Sequence, residues 1–105
     1  MYYVYVIQSQ FDNNYYTGYT DNLDRRINEH NSKKVLSTKN RVPFKLVYFE
    51  GSLNKYDALH REKYLKTAYG KKYLKNRLRN YLIENESISR GKRVTEEEGS
   101  PRVIE

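Results

Sequence analysis

The chain has 105 residues and a net charge of +7, with Lys+Arg 20 against Asp+Glu 13 and no cysteine. That length gives one compact core and not two. The absence of cysteine excludes a disulfide scaffold and any thiolate metal site and suits a reducing cytosol, while two histidines argue against structural zinc. No apolar run approaches the roughly 20 residues of a membrane span. The opening MYYVYVIQSQ has neither a basic n-region nor a cleavage site. The expectation is therefore a soluble, cytoplasmic protein without a membrane partner. Its charge is uneven: residues 1–83 carry 16 basic and 7 acidic side chains, residues 84–105 carry 4 and 6. Between Arg61 and Arg79 eight basic residues face a single acid, Glu62. Such a field favours a polyanion, most often nucleic acid, although a basic surface also serves solubility alone. The 12 tyrosines fit either base stacking or ordinary strand and core positions.

Residues 2–9, YYVYVIQS, are β-branched and aromatic and read as a strand. Alternation puts Tyr3, Tyr5 and Ile7 on one face and Tyr2, Val4 and Val6 on the other, so both faces need cover. QFDNN is turn chemistry, and YYTGYT (15–20) returns as the second strand of a hairpin. Asp21 or Asn22 caps a helix NLDRRINEHN that ends near Asn31 and Ser32. A basic connection broken by Pro43 leads to a third strand, FKLVYFEG (44–51). Asn54 caps the next helix, KYDALHREKYLKTAY, which Gly70 ends. KKYLKNRLRNYLIE is the last helix. From about residue 84 the polar, apolar-poor remainder reads as a tail with little or no order. The expected fold is α+β (α/β): a small three-stranded sheet flanked by helices, in the order β-β-α-β-α-α. It divides the chain into a domain over 1–83 and a tail over 84–105.

Two charges fall on apolar helix faces. Arg26 shares a side with Leu23, Ile27 and His30, and Glu62 shares one with Ala58, Leu59 and Leu65. A buried guanidinium needs an anion or several acceptors. Pattern leaves the readings open: a structural Arg26–Glu62 pair, or an edge position where the side chains reach solvent, or a site that offers one carboxylate to a divalent metal and one arginine to phosphate with tyrosine hydroxyls nearby.

At this point the residues resemble a known family. YVY (Tyr3-Val4-Tyr5), YTG (Tyr16-Thr17-Gly18), YTDNLDRRINEHN, PFKLVYFE and ALHREKYLKTAYGKKYLKNRL resemble, in order and spacing, the motifs of the GIY-YIG endonucleases. The likeness covers residues 2 to about 82 and is to small single-domain bacterial members, related to the excision-repair incision nuclease and to nucleases of branched DNA. Tyr3 stands where the family has glycine, and Thr17 where it has isoleucine.

The resemblance implies a DNA endonuclease that hydrolyses phosphodiester bonds with one Mg²⁺ or Mn²⁺, in DNA repair or the processing of structured DNA. Tyr5, Tyr16, Arg26, His30 and Glu62 would be catalytic, with Glu62 the metal ligand and Gly18 and Asn76 supporting. Tyr19 stands where relatives have lysine or histidine. Tyr5 is the candidate base, assisted by Tyr16 or Tyr19; an ordinary phenol with a pKa of about 10 is a poor base at neutral pH. His30 would shuttle protons or bond phosphate, or be a satisfied helix-side histidine; Asn76 also reads as a structural hydrogen bonder. The residues expected along the nucleic acid are Lys33, Lys34, Lys39, Arg41, Arg61, Lys63, Lys66, Lys71, Lys72, Lys75, Arg77 and Arg79, which read phosphate and not sequence. The partner is then DNA more than RNA, in the nucleoid, with a partner protein or substrate shape setting preference. The competing reading is a binding module that keeps the fold with little catalysis alone. Glu62 argues against it, because a carboxylate repels phosphate unless a metal intervenes.

Overall fold

The computed structural model describes residues 1–89. It holds β1 (Tyr2–Ser9), β2 (Tyr15–Thr20), α1 (Leu23–Asn31), β3 (Phe44–Ser52), α2 (Lys55–Leu65), α3 (Ala68–Arg77) and α4 (Arg79–Ser89). The strands form one antiparallel sheet in the order β2-β1-β3. As the central strand, β1 is covered on both faces, and Val4 through Ser9 are buried. On one face Val4 and Val6 pack with Ala58, Leu65 and Leu74 of α2 and α3. On the other Tyr5, Ile7 and Phe44 pack with Leu23 and Ile27 of α1. Burying each such aliphatic side chain is worth roughly 1.5–3 kcal/mol, so two small cores hold the sheet between its helices.

Side-chain caps set the helix boundaries. Asn22 accepts from Arg25 N, Asn54 from Tyr56 N and Asp57 N, and Thr67 from Gly70 N. Asn31 clamps the end of α1 to the start of β3, accepting from Phe44 N at 2.7 Å and donating to Phe44 O at 3.1 Å. Ser9 anchors both neighbouring loops: its hydroxyl accepts from Phe11 N and Asp12 N and donates to Arg41 O.

The C-terminal part departs from expectation. Three helices replace the expected two, and the break falls at Lys66–Thr67 instead of Gly70. Thr67 caps α3, and Gly70 lies inside it. A Cβ at Gly70 would collide with the backbone of Tyr64 and Leu65, its distance to Leu65 C being 2.8 Å. This glycine therefore permits two helices to touch; it does not end one. The last helix also divides, at Leu78, and α4 continues to Ser89, so residues 84–89 of the expected tail are helical. Residues 90–105, the rest of that tail, lie outside the described residues.

Candidate active site

The strand register sets how Tyr5 and Tyr16 face. Tyr5 pairs with Gly18 and Ile7 with Tyr16, with no shift between β1 and β2, so both tyrosines lie on the α1 face, ring centroids 6.4 Å apart. Gly18 marks a close approach: a Cβ there would sit 2.5 Å from Tyr5 Cζ and closer still to the hydroxyl. The tyrosine lies across the space a side chain would fill, which carries its hydroxyl toward α1.

There Tyr5 Oη meets His30 Nε2 at 2.8 Å, and Arg26 Nε donates to the same oxygen at 3.4 Å. His30 is fully buried, and its Nδ1 lies 2.7 Å from Oγ1 of Thr38, also fully buried. The Thr38 hydroxyl reaches Val35 O at 3.5 Å. Only one proton arrangement satisfies every donor. Arg26 can only donate, so Tyr5 accepts from it and gives its own proton to His30 Nε2. His30 then carries its proton on Nδ1, donates to Thr38, and Thr38 donates to Val35 O. The opposite tautomer would leave the buried Tyr5 proton without an acceptor in this set. Burial, with Arg26 nearby, lowers the His30 pKa to about 4, so the ring is neutral at pH 7. Burial also raises the Tyr5 pKa above 10, against the lowering effect of Arg26 and with Tyr16 and Glu62 adding to the rise.

The Arg26–Glu62 pair, one of the readings the pattern left open, does not form. Arg26 binds Glu29 Oε1 at 3.0 Å, one turn along α1. Its own pKa is raised, first by the Tyr5 hydrogen bond and then by Glu29. Its side chain is 32% exposed, so part of its fork faces outward. Glu62 takes Lys66 Nζ on Oε2 at 3.1 Å. Its charge adds to the rise in the Tyr5 pKa, although α2 packs on the Val4–Val6 face of the sheet and Tyr5 faces α1. Among the described residues no group of three or more His, Cys, Asp or Glu side chains gathers to hold a metal. Glu62 alone fits a hard cation in one respect: it is a partly buried carboxylate that already attracts a cationic group and presents a second oxygen.

A family model of the GIY-YIG catalytic domain matches residues 1–76. The chain belongs to the GIY-YIG family. Its relatives include a UPF0213 protein of Clostridium perfringens, 46% identical over 63% of this chain and 71% of that one, and a UPF0213 protein of Staphylococcus haemolyticus, 43% identical over 70% and 89%. The solution NMR structure of a UPF0213 protein from Bacillus halodurans is 37% identical and covers 70% of this chain and 82% of that chain, with a TM-score of 0.44.

The GIY-YIG fold thus gathers Tyr5, Tyr16, Gly18, Arg26 and His30 on one face, with Glu62 in electrostatic reach. It does not gather Tyr19. That ring pairs with Val4, faces α2 and α3, and stacks on Tyr2 at 6.4 Å. Asn76 is exposed on α3, and its carbonyl accepts from Arg79. Four of the expected phosphate contacts, Arg41, Arg61, Lys66 and Arg79, are engaged within the chain. Arg41 forms a two-point pair with Asp12, holding that carboxyl down at about 2. Arg61 binds Glu50 at 2.9 Å and lies over the rings of Tyr64 and Tyr73. Lys33, Lys34, Lys39, Lys63, Lys66, Lys71, Lys72, Lys75, Arg77 and Arg79 are exposed. Lys66, Lys71 and Lys75 rim a groove of about 580 Å³ beside Tyr15, Tyr16 and Thr17, floored by Leu65, Leu74, Leu78 and Leu82. Thr38 was not legible as a site residue: it sits in a polar connection, and only the folded loop puts its hydroxyl against His30. No described helix is long and apolar enough to cross a membrane.

Proposed function

We propose that the protein is a metal-dependent endonuclease that hydrolyses DNA phosphodiester bonds, acting on structured DNA in repair or processing. The observation that carries this is the continuous hydrogen-bonded line Arg26–Tyr5–His30–Thr38, which starts at an arginine side chain still 32% exposed. A buried phenol and imidazole tied to an arginine that solvent can reach suit a phosphodiester hydrolase, in which that arginine meets phosphate.

In this reading Arg26 holds a non-bridging phosphate oxygen, which its planar fork suits. Glu62 is the residue that would hold Mg²⁺ or Mn²⁺, exchanging Lys66 for it; the cation, when bound, supplies positive charge for the leaving oxygen. Tyr5 is fully buried, so it meets the attacking water only when bound phosphate draws Arg26 from its hydroxyl; it then takes the water's proton while passing its own to His30 Nε2. Thr38 holds His30 in the tautomer that can receive it. Burial holds the proton on Tyr5 and keeps His30 neutral, so a separated tyrosinate–imidazolium pair is unfavourable in the resting protein. Tyr5 is therefore not a preformed base. Tyr16, against both rings, shapes the pocket; Tyr19, on the far face, is dropped from the chemistry.

The test is a cleavage panel of linear, nicked, flapped and branched DNA, with RNA alongside, in Mg²⁺ or Mn²⁺ and in chelator. Metal-dependent cutting is expected for wild type and strong loss for Glu62→Gln and Arg26→Ala. Binding of these substrates without any metal-dependent cutting would leave a nucleic-acid-binding module in place of the enzyme.

A further inference from the structure

On the α1 face, the rows of the sheet run Gly18–Tyr5–Phe49 and then Thr20–Tyr3–Gly51. The two glycines lie on opposite sides of β1. Tyr5 leans over Gly18 toward the arginine. At Gly51 the space of a Cβ is taken by Met1, whose Sδ would be 2.5 Å away, while Tyr3 Cε1 is at ordinary contact distance, 3.4 Å. Tyr3 meets Phe49 edge-on, centroids 6.1 Å apart and planes at 68°. The α1 core ends at Tyr5, which leaves Phe49 51% exposed with Tyr3 half-buried beside it. Tyr3 is also the position at which this chain departs from the GIY motif, carrying a ring where the motif has glycine.

We propose that Tyr3 and Phe49 form a stacking platform for one unpaired nucleobase beside the phosphate held by Arg26. The inference rests on the nuclease reading for the identity of the neighbouring site. Three features favour a base over a protein side chain. The platform continues the phosphate site on the same face, two strand residues or roughly 7 Å from Tyr5, about the span from a phosphate to its base. The chain carries a net +7, which attracts a polyanion. The pair is ring-edge against ring-face, which leaves the exposed Phe49 ring free to take a third flat ring. A base paired inside a duplex is covered on both faces and cannot reach such a platform, so the preferred DNA has an unpaired nucleotide next to the cut: a gap, a flap or a loop.

The test reads binding in chelator, so it is independent of cleavage. Wild type, Phe49→Ala, Phe49→Tyr and Tyr3→Phe are titrated by fluorescence anisotropy with a gapped duplex and with the same duplex fully paired. In a second series 2-aminopurine occupies the gap, and its quenching reports stacking. Phe49→Ala is expected to weaken the gapped duplex by about 10-fold and the paired duplex by less than about twofold. Phe49→Tyr and Tyr3→Phe, which keep the rings, should bind as wild type. Equal losses on both duplexes, no loss on either, or no binding of the gapped duplex by wild type overturns the platform. So does a Phe49→Ala variant that binds DNA normally but loses a dimer in sedimentation, which would make the rings a protein interface. A wild type that stacks the probe yet never cuts defeats the nuclease reading and leaves the platform standing.

Discussion

Thr38→Val separates a proton relay from a packing accident. The substitution keeps the shape of a fully buried side chain and removes the one oxygen within reach of His30 Nδ1, 2.7 Å away. His30 then has two options. It can leave its Nδ1–H buried and unpaired, at about 1–3 kcal/mol. Or it can move the proton to Nε2, where it meets the Tyr5 hydroxyl and displaces the proton that Tyr5 now donates. Either route weakens the line from Arg26 to Thr38; only the second reverses its polarity. Stability should therefore fall by about 1–3 kcal/mol, read as a shift in the urea midpoint at constant slope. The cutting rate should fall by about 10²-fold or more, in line with the loss of a positioned acid–base group. Thr38→Ser keeps the hydroxyl and should retain most of the rate whatever it costs in packing. ¹⁵N chemical shifts of the His30 ring report the tautomer directly. A Thr38→Val protein that is destabilised as expected but keeps the wild-type rate and pH profile refutes the relay and leaves Thr38 a structural hydrogen-bond partner.

Gly18→Ala puts a Cβ into the Tyr5 ring, 2.9 Å from Cε2, so the ring must swing from α1; we expect a loss of about 1–3 kcal/mol in urea unfolding and near-complete loss of cutting, whereas an active Gly18→Ala enzyme would show that the Tyr5 position is dispensable. His30 predicts acid sensitivity. Its pKa is about 4 folded and 6.5 unfolded, so the unfolded chain binds the proton first, and stability falls as pH drops from 6.5 toward 4 by up to about 3 kcal/mol. Asp12 and Glu29, whose pKa values are lowered by Arg41 and Arg26, lose their contribution further down, below about 4.5. Urea midpoints measured between pH 7 and 4.5 for wild type and His30→Gln isolate the histidine: the two should converge as pH falls, and parallel curves would sink the assignment.

The strands and the first helix were legible because local chemistry and tertiary demand agree there. Tyr2–Ser9 has no breaker and is apolar on both faces, as a central strand must be, and Asn22 and Asn54 cap where a short polar side chain is wanted. Gly70 was misread because glycine serves two purposes, ending a helix or letting one touch another. Sequence alone does not say whether a neighbour's backbone is 2.8 Å from the missing Cβ. Arg61 and Arg41 looked like free cations because their partners, Glu50 and Asp12, are 11 and 29 residues away and meet them only in the fold.

The same limit explains the active face. Pattern placed Arg26 and His30 beside Leu23 and Ile27, yet that face could not say what the two polar groups approach. The answer needs a tyrosine from β1, a glycine from β2 and a threonine from the loop before β3, three segments whose spacing carries no period in common. Gly18 then does what no local rule anticipates. It opens a gap on the β2 side of β1, and Tyr5 fills it. That ring is drawn under the helix and loses water, which raises its pKa and ties it to His30. Tyr3, next along the same strand face, stays half-buried beside Phe49, whose exposed flat surface is useful only to something that arrives from outside. One glycine and the end of the α1 cover thus divide a single tyrosine-rich strand face into a buried chemical end and a more open binding end.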